Sequence, residues 1–130
     1  MIQIDIVTPQ KQILIGVESE FISLPGSGGA LKILEGHADL LTLLSHGELS
    51  FKEGENNRRF AISYGFAEIK NNKVTVLAET CEESNEINLE RAKLAEKKSK
   101  EILSGNIDRP TFRKYELKLE RAIVRQRVAV

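Results

Sequence analysis

Glu35, His37 and Asp39 occupy alternate positions within the stretch Gly28–Phe51. Side chains of an extended strand repeat every second residue, so on a strand these three would face the same way. Two carboxylates and an imidazole can hold a divalent ion, with His46 as a further candidate ligand. The corresponding function would be that of a small metal-dependent β-sandwich enzyme. Two features weigh against it: the chain has only two histidines, and Gly36 beside His37 favours a turn over a regular strand. Nucleophilic catalysis has less support, because Glu82 and Glu83 next to Cys81 raise the thiol pKa and disfavour the thiolate. The run Gly26-Ser27-Gly28-Gly29 lacks the Lys-Ser/Thr that completes a phosphate-binding loop.

The elements that must position these residues are bounded first by size. A chain of 130 residues fits one ordinary domain, or a small domain with an appendage. A charged fraction of 29% beside 41% hydrophobic residues is that of a soluble globular protein. No apolar run approaches the roughly 20 residues that span a bilayer. The start Met1-Ile2-Gln3-Ile4 has no signal-peptide character, and a single cysteine suits a reducing compartment. A soluble intracellular protein is expected. Its zero net charge hides an asymmetry: residues 1–84 carry 7 Lys+Arg and 12 Asp+Glu, whereas residues 85–130 carry 12 and 7. A split at one boundary predicts two units, 1–84 and 85–130, with different surroundings.

The hydrophobic period changes at the same place. Ile2-Gln3-Ile4-Asp5-Ile6 alternates with period two, and Gln12–Val17 does so more loosely. Leu24–Gly29 reads as a glycine-rich turn, Glu53–Asn57 as a second, and Asn71-Asn72 as a hairpin turn. Eight to ten strands in a β-sandwich or barrel follow. After Ser84, Leu89, Ala92, Ala95, Ser99 and Ile102-Leu103 recur at steps of three and four, with Asn88 as N-cap and Gly105 just past the end. Asp108 and Pro110 open a second helix with Phe112, Tyr115, Leu119, Ala122 and Ile123 on one side. The short link predicts an antiparallel pair. An alanine-rich seam stabilises weakly, at about 25 cal/mol per Å² buried. The pair is therefore either a surface hairpin or an element able to leave the sandwich.

The lysines and arginines of these helices are interrupted by Glu90, Glu96, Glu101, Glu116 and Glu120 at stabilising helical spacings. A solvated face accounts for them most simply, and an acidic protein partner is the functional alternative. Nucleic acid is disfavoured because no aromatic residues interleave.

Four segments, in order, carry a family resemblance. Gly29-Ala30-Leu31-Lys32-Ile33-Leu34-Glu35-Gly36-His37-Ala38-Asp39-Leu40-Leu41-Thr42, followed by Gly47-Glu48-Leu49, resembles the epsilon subunit of F-type ATP synthases. So do Tyr64–Ile69 with Val74–Ala78, Ile87–Ala92, and Leu119–Arg125. The resemblance implies an α+β chain: a ten-stranded antiparallel β-sandwich followed by an antiparallel two-helix hairpin. It implies a non-catalytic rotor subunit of a proton- or sodium-driven ATP synthase, peripheral on the cytoplasmic side of a bacterial plasma membrane and not inserted in it. Partners would be the gamma subunit, the c-ring and the catalytic beta and alpha subunits, with no nucleic acid.

The contact candidates implied are Gly26, Ser27, Gly28, Gly29 and Leu31, with His37, Ala38, Leu40 and Leu41. The hairpin would inhibit ATP hydrolysis when extended, through Arg113, Lys118, Arg121 and Arg125. No cofactor is required, but ATP as a regulatory ligand is implied through Ile87, Arg91, Ala92, Arg121 and Arg125, with Asn88 where the related motif has Asp. Glu35 and Asp39 replace two prolines of the family pattern and Lys32 a glycine, predicting a less rigid loop.

Overall fold

The computed structural model describes residues 1–129. Strand β1 (Ile2–Val7) shows why the first half folds as it does. Ile2, Ile4 and Ile6 are at most 1% exposed and point into the core, while Gln3 faces solvent. Nine strands follow: β2 (Gln12–Ser19), β3 (Phe21–Gly26), β4 (Gly29–Leu34), β5 (Leu40–Leu44), β6 (Gly47–Glu53), β7 (Asn56–Ile62), β8 (Gly65–Lys70), β9 (Lys73–Ala78) and β10 (Cys81–Glu83). They are hydrogen-bonded in the order β10-β7-β6-β3-β5-β8-β9-β1-β2, with β4 paired to β3. The sheet folds over at β3, which meets β6 through Ile22 and Ser23 and β5 only at Gly26. The two layers enclose a core in which Phe51 and Phe60 stack with centroids 5.9 Å apart.

The expected purely antiparallel sandwich needs one correction: β1 and β9 pair in parallel, from Gln3–Lys73 to Val7–Leu77. Period-two alternation reports which face is buried but not the direction of the neighbour. A parallel pair needs only a long connection, which β2 to β8 supply. The turns are also tighter than expected. Leu24–Gly26 belongs to β3, leaving Ser27-Gly28 as the hairpin turn, and only Gly54-Glu55 separates β6 from β7. Asn71 and Asn72 turn as expected, with φ of 49° and 60°. The loose alternation of β2 has a cause: its register against β1 slips at Ile4/Ile6 and at Ile6/Val7.

Helix α1 (Leu89–Leu103) starts where Asn88 caps it, its side chain accepting from the Arg91 amide at 3.0 Å. Helix α2 (Arg109–Ala129) carries Pro110 in its first turn and runs back antiparallel. Ala92, Ser99 and Ala122 line the seam, small enough for close approach. The α2 face differs from the expected one. Phe112 and Ile123 are exposed, whereas Val124 and Val128 are buried against Ala61 of β7 and Ile87 in a second small core. The helix is rotated towards the sandwich because it has two partners, not one.

Gly65 tests the packing of this fold. A Cβ there would lie 1.9 Å from the Leu77 carbonyl oxygen, so β8 and β9 could not keep their spacing, whereas a Cβ at Gly28 meets nothing within 4 Å. Gly65→Ala is expected to lose about 2 kcal/mol or more and Gly28→Ala less than about 0.5 kcal/mol, by urea denaturation.

Candidate functional site

The stretch with alternating Glu35, His37 and Asp39 is not a strand. It is the loop between β4 and β5, in which Gly36 takes φ of +81°. Glu35 pairs with the Met1 ammonium at 2.9 Å, and the His37 ring approaches the Ala38 carbonyl oxygen at 2.7 Å. The three side chains therefore do not share a strand face, and among the described residues no group of three His, Cys, Asp or Glu is placed to hold a metal ion. Cys81 is no nucleophile. Burial first, then Glu86, Glu83 and Glu82, push its thiol up to about 12.

The contact candidates separate by environment. Ser27, Gly28, Gly29, His37, Ala38 and Leu41 are exposed, but Gly26 is buried and Leu31 and Leu40 pack on the core. Gly26 is structural: a Cβ would lie 2.7 Å from the Gly29 carbonyl oxygen. Sequence reasoning missed the apolar row beside Leu41. Leu43 pairs across to Phe66 and Phe66 to Leu77, all on the outer face, with Leu41 and Leu43 67% and 66% exposed. The signal was present in Leu40-Leu41-Thr42-Leu43-Leu44, which is apolar on both faces where a half-buried strand would be polar on one.

A second feature is a cleft of about 440 Å³ where α1, α2 and β10 meet. Arg91, Lys98, Lys118, Arg121 and Arg125 line it together with Tyr115 and the one carboxylate of Glu82. Arg91, Arg121 and Arg125 are thus brought together. Ile87 and Ala92 are not part of the lining; they are buried in the second core and in the helix seam. Arg113 lies apart, paired with Glu116. Lys98, Tyr115 and Glu82 are members that sequence reasoning missed, Glu82 because only its effect on Cys81 was considered.

Glu82 also joins the hairpin to the sandwich. Its carboxylate lies 2.9 Å from Arg125 Nε, accepts from Arg125 Nη2 at 3.1 Å and sits 3.7 Å from Arg121 Nη2. Arg59, paired with Glu48, donates through Nη2 to the Arg127 carbonyl oxygen at 3.1 Å. Next to it, Arg58 grips Glu83 through two bonds of 2.7 and 2.8 Å, and that bonding holds Glu83 below and Arg58 above their ordinary pKa values. Half-buried charges so placed are paired at the edge of the interface, where water is close at hand.

Fold and site define a β-sandwich adaptor that carries a docked, basic helical hairpin. The beta-sandwich domain of the ATP synthase delta/epsilon chain matches residues 1–84. The chain is 43% identical over 129 residues to the ATP synthase epsilon chain of Geotalea daltonii, a match covering 98% of this chain and 93% of that one. To the epsilon chain of Desulforamulus reducens it is 37% identical, covering 98% and 96%. It belongs to the family of ATP synthase epsilon chains and is a non-catalytic subunit, not a metal-dependent enzyme.

Two solved structures share the fold. A chain of the Euglena gracilis mitochondrial ATP synthase OSCP/F1/c-ring complex has a TM-score of 0.83 at 23% identity, covering 92% of this chain and 75% of that one. A chain of the Tetrahymena thermophila mitochondrial ATP synthase central stalk and c-ring has a TM-score of 0.68 at 13% identity, covering 99% and 96%.

Removing the charge of Glu82 tests the latch. Glu82→Gln is expected to weaken docking of the hairpin by about 1–2 kcal/mol, an effect that shrinks with added salt. It is read from the amide shifts of Val124 and Val128 in the isolated chain; unchanged shifts would show that the apolar contact alone holds α2.

Proposed function

We propose that this chain is the central-stalk subunit that couples the catalytic head to the membrane ring of a proton- or sodium-driven ATP synthase, and that its hairpin restrains ATP hydrolysis. The reading treats 1–84 and 85–130 as separable units, the first seated on the rotor and the second regulatory. Among the described residues no helix is long and apolar enough to cross a membrane, so attachment would come through protein contacts at the cytoplasmic side of a bacterial plasma membrane. The outer row Leu41, Leu43, Phe66 and Leu77 supplies an apolar surface for a gamma-type shaft. The exposed tip Ser27–Gly29 and the loop at His37 and Ala38 supply a polar contact suited to gamma or the ring.

The observation that carries the regulatory reading is the way α2 is held. Among the described residues its apolar contact is small, made by Val124, Val128 and the partly buried Ala129 with Ala61 and Ile87, and a polar clasp adds to it. Release would expose little apolar area, and it would free Arg121 and Arg125 from Glu82. With Lys118 and Arg113 these could then meet acidic segments of the catalytic beta and alpha subunits. The buried residues of the sandwich core, by contrast, fall between Ile2 and Ala78 with Cys81 packed against them, so a chain ending at Ser84 keeps them all.

The deciding experiment adds the full chain, or the version ending at Ser84, to the cognate catalytic complex and measures ATP hydrolysis. Truncation is expected to raise hydrolysis severalfold while the sandwich remains bound. Equal rates with both versions bound would remove the inhibitory role, and failure of both to bind would remove the rotor role.

The cleft favours a second, compatible reading: ATP as a regulatory ligand, neither consumed nor required. Five cations facing a single carboxylate attract phosphate oxygens, and Arg121 and Arg125 offer two guanidinium forks on one helix face. Asn88 keeps the helix cap here without adding a charge. Calorimetry on the isolated chain should detect ATP binding, weakened about tenfold or more by Arg91→Ala or Arg121→Ala. Equal affinity of these variants would exclude the cleft as the site.

A further inference from the structure

His46 lies between Leu44, at the end of β5, and Gly47, at the start of β6, where the sandwich meets α2. Its ring packs on Tyr64 with centroids 4.5 Å apart and planes tilted by 56°. Neither ring nitrogen is exposed to solvent, and neither has a hydrogen-bond partner among the described residues. Neutral imidazole tolerates such a place at a cost; imidazolium, with two charged N–H donors, tolerates it far less.

From these contacts we propose that His46 makes docking of the hairpin proton-linked, so that acidification of the surrounding solution releases α2 from the sandwich. The surrounding groups do not cancel the effect. Glu79 from the turn after β9 and Glu120 from α2 favour the charged ring, whereas Arg121 and Arg113 of α2 oppose it, and Glu48 on β6 is taken up by Arg59. Burial outweighs them all and holds the ring below the ordinary histidine value.

The sign follows directly. On this proposal α2, whose Glu120, Arg121 and Arg113 interact electrostatically with the ring, forms part of its cover; its departure then returns the ring to water and to an ordinary pKa of about 6.5, so protons bind the undocked state more tightly than the docked one. Docking is at full strength above about pH 6.5 and is lost as pH falls below it through the lower docked value. The ratio of docked to undocked chains changes by up to about tenfold for each unit between the two pKa values. Its consequence for hydrolysis rests on the regulatory reading above, but the linkage itself is a property of the isolated chain and is measured without the complex.

The test uses the full chain in two measurements between about pH 5.5 and about pH 8. The first follows the His46 ring by NMR in the unmodified protein, where His37 gives the only other histidine signal. A midpoint below the ordinary histidine range is expected while α2 is docked; a midpoint at or above it overturns the proposal.

The second places spin labels at Lys52→Cys and Lys114→Cys, with Cys81→Ser, and reads the distance across the docking interface. The long-distance population is expected to grow severalfold on acidification and to be flat with pH when His46→Gln is added. The same growth with His46→Gln in place would overturn the proposal. Should that variant fail to dock at any pH, the ring titration of the unmodified chain decides.

Discussion

One carboxylate on the last strand faces two guanidinium groups on the last helix, and that meeting ties the hairpin to the sandwich beside a small apolar contact. Glu82 is fixed by the pairing of β10 with β7, which sets it opposite Ala61 in the sheet. Arg121 and Arg125 are fixed one helical turn apart on α2. Such an arrangement gathers three charges, with Glu82 and Arg125 half-buried and Arg121 exposed, so separating them exposes ions to water instead of stranding them in an apolar interior. The apolar part of the contact is small: Ala92, Ser99 and Ala122 fill the helix seam, and among the described residues Val124, Val128 and the partly buried Ala129 reach the second small core.

The sandwich is built on the opposite principle. Its interior is a continuous cluster of Ile, Leu, Val and Phe side chains drawn from both layers, closed by the fold-over at β3. None of its buried residues comes from the hairpin. Its outer face is divided: β7 and β10 carry the polar clasp, whereas β5, β8 and β9 present leucine and phenylalanine to solvent. The docked appendage on one face and the exposed apolar row elsewhere are thus separate surfaces of one sandwich.

The β4–β5 loop makes its tertiary contacts without proline. Glu35 and Asp39 stand where two prolines would have restricted φ, and the sequence suggested a looser loop. The chain ties it by other means: the Met1 ammonium grips Glu35, the Gly36 amide donates to Asn72 Oδ1 at 2.7 Å, and the His37 amide donates to the Leu34 carbonyl oxygen. The loop is thus joined to the N-terminus and to the β8–β9 turn.

Local patterning determined much of this protein. The isoleucines of Ile2, Ile4 and Ile6 specified an inward face, Asn71-Asn72 specified a hairpin turn, and Asn88 specified where α1 begins. Each depends on residues adjacent in the chain, so each was legible before any folding was considered. The four family segments likewise pointed to the kind of subunit. What only tertiary structure decided involves partners distant in sequence. The parallel meeting of β1 and β9 joins residues about seventy positions apart. The exposure of Phe112 and Ile123 in place of Val124 and Val128 follows from α2 having a sandwich as well as a helix to face. Glu82 acquired its role only when α2 came to rest beside it, and His46 its buried, unpartnered ring nitrogens only when the chain closed around it, because a local period says which side of an element is apolar and nothing about what will lie against it.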